Sequence, residues 1–327
     1  MTRARFIGAL AALVAVSLGA IGARADDYPS HPITLLVGFP PGGPTDALAR
    51  LLADSMGRVL HQTVVVETVS GASGTIAAGR VVHASPDGYT IGIGNWTSHV
   101  GSPAIYPLDF DIQKDLQPIS LLAYSPLWIL GKSALPPKTA SELITWLKAR
   151  KQPTTMGTVG TGSAAQLGAI SLAKAIDVKF QYVPYRGAGP AIQDLLSGQI
   201  ELACLETSST LPYVQAGKMK AYALVSNERW PKSPDTPTLT EAGAPGVSLP
   251  FWHGLWAPAG TPKPVIDKLD DAVMATLADK AVRQRLQDLG QVIFPREQQN
   301  PAALAAYENA EIKKWWPIIK QAGIKAQ

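Results

Sequence analysis

From residue 33 onward, short apolar runs alternate with helix-spaced apolar faces, and a turn rich in Gly, Ser or Pro follows each run. Ile33 to Phe39 is an apolar run of strand length, followed by Leu48, Leu51, Leu52, Met56 and Val59 at three- and four-residue spacing. That spacing predicts a helix with one face against a core. Thr63 to Val66 reads as a second strand, Ser70 to Gly74 as its turn, Thr75 to His83 as a short helix, and Tyr89 to Ile93 as a third strand. The middle of the chain repeats the unit. Thr154 to Val159, the Gly160 to Ser163 turn and the Ala164 to Ile176 helix form one cycle. Lys179 to Tyr185, the Arg186 to Gly189 turn, a helix from Pro190 to Leu196 and a strand from Ile200 to Leu205 form the next. Proline suits that first helical turn, where its missing N–H has no partner to lose. Strands alternating with helices predict parallel α/β sheets, one in each of two lobes. After Trp252 to Pro258 the pattern is helical: Val265 to Leu277, Ala281 to Leu289 and Pro301 to Ala322. With no strand cycle of their own, these helices are expected to pack back on the first lobe, which makes the second lobe an insertion.

In such sheets ligands bind beyond the carboxyl ends of the strands, where the Gly-rich turns lie. The turn Pro40-Pro41-Gly42-Gly43-Pro44-Thr45-Asp46 joins the first strand to the first helix. A helix N-terminus presents backbone N–H groups without internal partners at the positive end of its dipole, which is a seat for an anion. No Gly-Lys-Ser/Thr phosphate loop and no G-x-G-x-x-G fingerprint is present, so a small carboxylate fits this turn better than a nucleotide. Four such turns, two from each half, are expected to converge on one cleft.

Composition changes the picture mainly at the start of the chain. Arg3 and Arg5 precede an apolar run from Phe6 to Ile21, and Ala23-Arg24-Ala25 has the small-x-small pattern of a signal-peptidase site. Residues 1–25 are therefore expected to be a signal peptide, with the exported protein beginning at Asp26 and lying free in the periplasm. The run is shorter than the ~20 residues of a spanning helix. Without Arg3, Arg5 and Arg24 the formal charge falls from +4 to +1. No concentrated basic patch remains to bind nucleic acid. Cys204 is the only cysteine, so no intramolecular disulfide forms, and its apolar surroundings mark it as a core residue.

Enzyme chemistry finds little support. His31, His61, His83, His99 and His253 form no H-E-x-x-H or H-x-H arrangement, and no C-x-x-C exists. The Gly71-Ala72-Ser73-Gly74 turn lacks the spacing of a nucleophile elbow. No catalytic residue, metal ligand or cofactor site is expected.

The motifs in order resemble the periplasmic solute receptors of tripartite tricarboxylate transporters, often called Bug receptors. The resemblance spans nearly the whole exported chain. It rests on Tyr28-Pro29, Pro32-Ile33, Phe39-Pro40-Pro41-Gly42-Gly43-x-x-Asp46 with Ala49-Arg50, and Pro86-Asp87-Gly88-Tyr89-Thr90. It continues through Asp115 to Ile119, Tyr185-Arg186-Gly187-x-x-Pro190-Ala191-x-x-Asp194-Leu195-x-x-Gly198, and Ala257 to Pro262. The resemblance implies a two-lobed α/β periplasmic binding protein fold of type II-like architecture, each lobe a mainly parallel sheet flanked by helices. Lobe 1 would comprise residues 26–126 and 252–327, and lobe 2 residues 127–251. It further implies a monomer that captures a small organic carboxylate (di- or tricarboxylic, aromatic or amino acid) between its lobes for the transporter's membrane subunits. A receptor that signals to a membrane sensor kinase is the alternative. Three departures bear on the ligand: Thr68 to Ser70 replaces the family's Asn-Arg-Pro, Gln166 stands where His is common, and Ser102-Pro103 replaces Asn-Pro.

Candidate ligand contacts follow from both lines of reasoning. In lobe 1 they are Phe39, Pro40, Gly42, Gly43 and Thr45 of the first turn, with Ser73 of the second. In lobe 2 they are the helix start Gly162, Ser163, Ala164 and Ala165, with Gly187 of the next turn. Asp46 either organises the first helical turn or joins the ligand loop through water. Asp194 either accepts a hydrogen bond from the ligand or is a solvated helix carboxylate. Trp96 either flanks the ligand or packs the edge of the lobe. His99 either lines the cleft or is a satisfied surface histidine, whereas Trp315 and Trp316 read as one buried and one partly exposed helix residue.

Overall fold

The computed structural model describes residues 28–324; the signal peptide and cleavage site expected from the sequence lie outside them. The strands form two mixed sheets. The first is six-stranded, in the order β11-β4-β10-β3-β1-β2, with β1 Ile33–Val37, β2 Val64–Thr68, β3 Thr90–Asn95, β4 Leu116–Ser125, β10 Phe251–Pro258 and β11 Val292–Ile293. The second is five-stranded, in the order β7-β6-β8-β5-β9, with β5 Leu127–Lys132, β6 Thr154–Thr158, β7 Phe180–Pro184, β8 Leu202–Glu206 and β9 Met219–Leu224. The pairs β1–β2, β1–β3, β6–β7 and β6–β8 are parallel, as the strand–turn–helix cycles predict. The remaining pairs are antiparallel because β4, β5, β9, β10 and β11 belong to no such cycle. Of these, β4 runs into β5 through Pro126, and the chain returns between β9 and β10, so these strands carry the chain from one sheet to the other and back.

Helices cover both faces of each sheet. Against the six-stranded sheet, α1 (Pro44–Leu60), α7 (Lys263–Ala278) and α8 (Lys280–Asp288) share a core with Ile33, Leu35, Ile91 and Leu255. On its other face lie α2 (Thr75–Val82) and the long α9 (Pro301–Gln321), the latter packed across β4. The five-stranded sheet has α3 (Ala140–Ala149) and α4 (Ala164–Ala175) on one face and α5 (Ala188–Ser197) and α6 (Thr207–Gln215) on the other. Among the described residues no helix is long and apolar enough to cross a membrane.

The buried stripe of α1 differs in detail from its predicted face. Leu48, Leu52, Met56 and Leu60 are buried at four-residue spacing, whereas Leu51 is half-buried and Val59 is 42% exposed. Alanines 49 and 53 complete the face and let the helix lie close to the sheet. Each fully buried Leu or Met contributes about 1.5–3 kcal/mol, and Leu52→Ala would cost about 2–5 kcal/mol through the cavity it leaves. β1 ends two residues before Phe39 because Gly38 runs against the next turn: a Cβ there would lie 2.7 Å from Gly74 Cα.

Candidate functional site

The carboxyl ends of both sheets meet across a cavity of about 400 Å³. Lobe 1 supplies its wall from Phe39 to Thr45 and the floor at Asn95 and Thr97; lobe 2 supplies Arg186 to Pro190, Glu206 and the start of α6. The lobes touch around it. Ser73 Oγ donates to Thr161 O at 3.2 Å, and Ala164 N–H donates to Thr97 Oγ1 at 3.2 Å. A Cβ on Gly101 would lie 2.1 Å from Gly162 O, so only glycine permits that approach.

Which helix ends can receive an anion is decided by capping. At α1 the N-cap Gly43 has no side chain, and Asp46 reaches back instead: its Oδ2 accepts from Gly42 N–H at 2.9 Å and from Arg50 Nε at 3.0 Å. Burial alone would raise the Asp46 carboxyl, but the Arg50 and Gly42 hydrogen bonds and the Arg50 charge together hold it below the usual range. Asp46 therefore organises the turn, and the Gly42 N–H is already occupied by it. Gly42 contributes its backbone shape, with φ at +79°. Gly43 N–H turns back to Pro40 O at 3.4 Å, so what remains toward the cavity is the first turn of α1 at Thr45, whose N–H has no intrahelical partner. Thr45 Oγ1 is fixed from behind, accepting from Asn95 Nδ2 at 3.0 Å and lying 3.1 Å from His253 Nε2. Burial drives the His253 imidazole down to about 3, so it is neutral and brings no positive charge to the site.

The lobe 2 helix start predicted to meet the ligand is closed by its own residues. In α4, Gly162 N–H donates to Gln166 Oε1 at 2.7 Å, Gln166 N–H to Ser163 Oγ at 3.1 Å, and Ala164 N–H to Thr97. Gly162, Ser163, Ala164 and Ala165 are buried and lie outside the cavity lining. The neighbouring cycle takes their place. At α5 the N-cap Gly187 makes no side-chain cap, and Gly187, Ala188 and Gly189 all line the cavity beside Arg186. Sequence spacing marked both turns alike; the difference lies in Ser163 and Gln166, which supply caps, and in Gly187 and Gly189, which cannot.

Four further candidates sit elsewhere. Trp96 is fully buried, edge-on to Trp315 at 5.5 Å, and donates from Nε1 to Glu311 at 2.7 Å, which is the packing role. Asp194 accepts from Tyr185 Oη at 2.6 Å and is not in the cavity lining; Ser73 belongs to the contact between lobes. His99 is buried and stacked on Trp256 at 3.7 Å, and burial lowers it to about 3.

The structure adds residues that sequence spacing missed. Asn95 ends the third strand and Thr97 opens the helical turn after it, while Phe251, at the start of β10, and Leu289 and Gln291, after α8, come from segments with no turn signature. Glu206 is 2% exposed at the end of the apolar strand β8. Burial pushes its carboxyl up to about 7, opposed only by a hydrogen bond from its own backbone N–H. An acid closing an otherwise apolar run was the signal available for it.

Comparison with known proteins resolves the family. The profile described as tripartite tricarboxylate transporter family receptor matches residues 48–324. The chain belongs to that family. MatC from Rhodopseudomonas palustris, solved with bound malate, is 38% identical with a TM-score of 0.84, covering 89% of this chain and 100% of MatC. The periplasmic binding protein BugD is also 38% identical, with a TM-score of 0.85 over 92% of this chain and 100% of its own. Rpa4515 of R. palustris, solved with adipate, is 30% identical at a TM-score of 0.86, covering 92% of this chain and 100% of its own. The two-lobed periplasmic binding protein fold and the Bug resemblance therefore hold. Two of these related receptors, MatC and Rpa4515, were thus solved with a small dicarboxylate bound.

Proposed function

We propose that this protein is an exported periplasmic receptor that captures a small organic carboxylate between its lobes and delivers it to the membrane subunits of a tripartite transporter. The observation that carries the reading is the cavity between the N-termini of α1 and α5, neither capped by the side chain of its N-cap residue. Its volume of about 400 Å³ suits a small acid, within the ~300–1,000 Å³ common for ligand sites. The carboxylate is held by backbone N–H groups of Thr45 and of Gly187 to Gly189, directly or through water, with Arg186 adding charge at the rim. Malate and adipate in the two related receptors support this ligand class. Residues 26–126 with 252–327 form one jaw and 127–251 the other, with hinges near 124–130 and 248–256. Closure follows because a ligand touching both jaws binds the closed form better.

A thermal-shift screen of small carboxylates tests the receptor role. A ligand at ~100 times its Kd should stabilise the fold by ~2.7 kcal/mol; no stabilisation by any carboxylate would remove the reading. Uptake of the best ligand in a deletion strain tests delivery, and loss of gene induction with intact uptake would point to signalling instead.

A further inference from the structure

The cavity has a second pole opposite in character to the helix N-termini. Glu206 is its one acidic lining residue among the described residues, and its Oε2 has no hydrogen-bond partner in the protein. Ser208 Oγ and Gln291 Oε1, which line the same cavity, are likewise unpartnered. Their segments meet in that wall: Ser208 lies two residues after Glu206 at the start of α6, and a Cβ on Gly290, next to Gln291, would lie 3.2 Å from Ser208 Cα. Gln291 is 4% exposed and Glu206 2%, so neither oxygen is held in place for bulk water. A buried acceptor with no donor is costly. Three such oxygens around one corner call for a group with several donors.

We infer that this corner is an ammonium seat, and that the protein's ligand is a small amino-carboxylate whose carboxylate faces the helix N-termini and whose ammonium faces Glu206, Ser208 and Gln291. This rests on the carboxylate-receptor reading and names the ligand within it. An ammonium carries three N–H donors, matching three acceptors; a hydroxyl carries one. A second ligand carboxylate could accept from the Ser208 hydroxyl, but it would set its lone pairs against the Glu206 and Gln291 oxygens and its charge against Glu206. A zwitterion presents opposite charges to the two poles and adds no net charge to the closed cleft. The charged and titratable groups that share the cavity wall with Glu206 are Arg186 and Tyr213, and Cys204 lies on the same strand, its thiol raised by burial and by Glu206.

The test is calorimetry with matched ligands, each amine paired with the acid in which a carboxylate replaces the ammonium. Glycine, β-alanine, 4-aminobutanoate and 5-aminopentanoate are set against malonate, succinate, glutarate and adipate. Wild type should bind at least one amine about tenfold or more tighter than its paired diacid. Glu206→Gln, which keeps the shape and one acceptor but removes the charge, should lose about tenfold for that amine, whereas the paired diacid, relieved of the like charge, should hold or gain affinity. Its unliganded melting temperature should not fall below wild type, because no partner is broken. Wild type should also release a fraction of a proton on binding the amine near pH 7, measured in buffers of different ionisation heat, and Glu206→Gln should release none. Preference for the diacid at every length, or an unchanged preference in Glu206→Gln, would overturn the ammonium seat and leave the carboxylate receptor standing. Failure of both series to bind would overturn the two together.

Discussion

Replacing Gly189 by Asp sets a negative charge where the account places the ligand's carboxylate. Gly189 lies in the first turn of α5 and lines the cavity, and a Cβ there would meet nothing within 4 Å, so the side chain has room. An acid in the first turn interacts favourably with the helix dipole by about 0.3–1 kcal/mol, which keeps the fold intact. Binding should suffer. Two unit charges about 5 Å apart at an effective dielectric constant of ~20 repel by about 3 kcal/mol, on the order of 100-fold in Kd. Gly189→Asn is the matched control, since it has the same shape and no charge. Calorimetry with the tightest carboxylate from the thermal-shift screen, at low and high salt, gives both constants. Gly189→Asp should bind about 100-fold more weakly than Gly189→Asn, with the gap shrinking as salt screens the pair. Equal affinities would refute the assignment of the α5 N-terminus and return lobe 2's share to another element.

Two other outcomes follow from the hydrogen bonds around the cleft. Asp46→Ala should lower stability at pH 7 by about 1–2 kcal/mol through loss of the charge-assisted bond from Gly42 N–H. Because the folded carboxyl lies below its ordinary value, that contribution is present above the unfolded pKa of ~3.9 and fades as pH falls through the folded value. Melting curves of wild type and variant should therefore converge in acid; a constant gap would contradict the pairing. Thr97→Val removes the acceptor that Ala164 N–H uses across the cleft. At about 1 kcal/mol for one hydrogen bond the closed form should lose roughly fivefold in population, read as a larger radius of gyration in small-angle scattering without ligand and compaction when ligand is added. An unchanged radius in both states would argue for a rigid cleft.

The cycles of strand, turn and helix were legible because each carries its own local chemistry: an apolar run, a glycine turn and a spaced apolar face. Both turns that face the cavity, at Gly42 to Thr45 and at Gly187 to Gly189, were found on that basis. The antiparallel strands were harder, since β4, β5 and β10 are buried on both faces and show no alternation to read. Site residues divided along a similar line. Local sequence marks a helix start but does not say whether Ser163 and Gln166 will close it, because that depends on side-chain direction and on Thr97 arriving from the other lobe. The place of Trp96 after β3 left cleft and edge packing both open, and Glu311 and Trp315, more than two hundred residues later, claim it for the core. Glu206 and Gln291 belong to different lobes, and nothing in either's neighbourhood announces the other.

The central claim is that a carboxylate sits between the N-termini of α1 and α5, and a crystal structure with the tightest carboxylate from the screen addresses it most directly. The account predicts carboxylate oxygens about 2.7–3.1 Å from the backbone nitrogens of the α1 and α5 first turns or from a water bridging them, with the lobes closed over the ligand. A carboxylate turned away from both helix ends, or a ligand bound in the lobe 1 groove between Glu67 and Phe110, would contradict it.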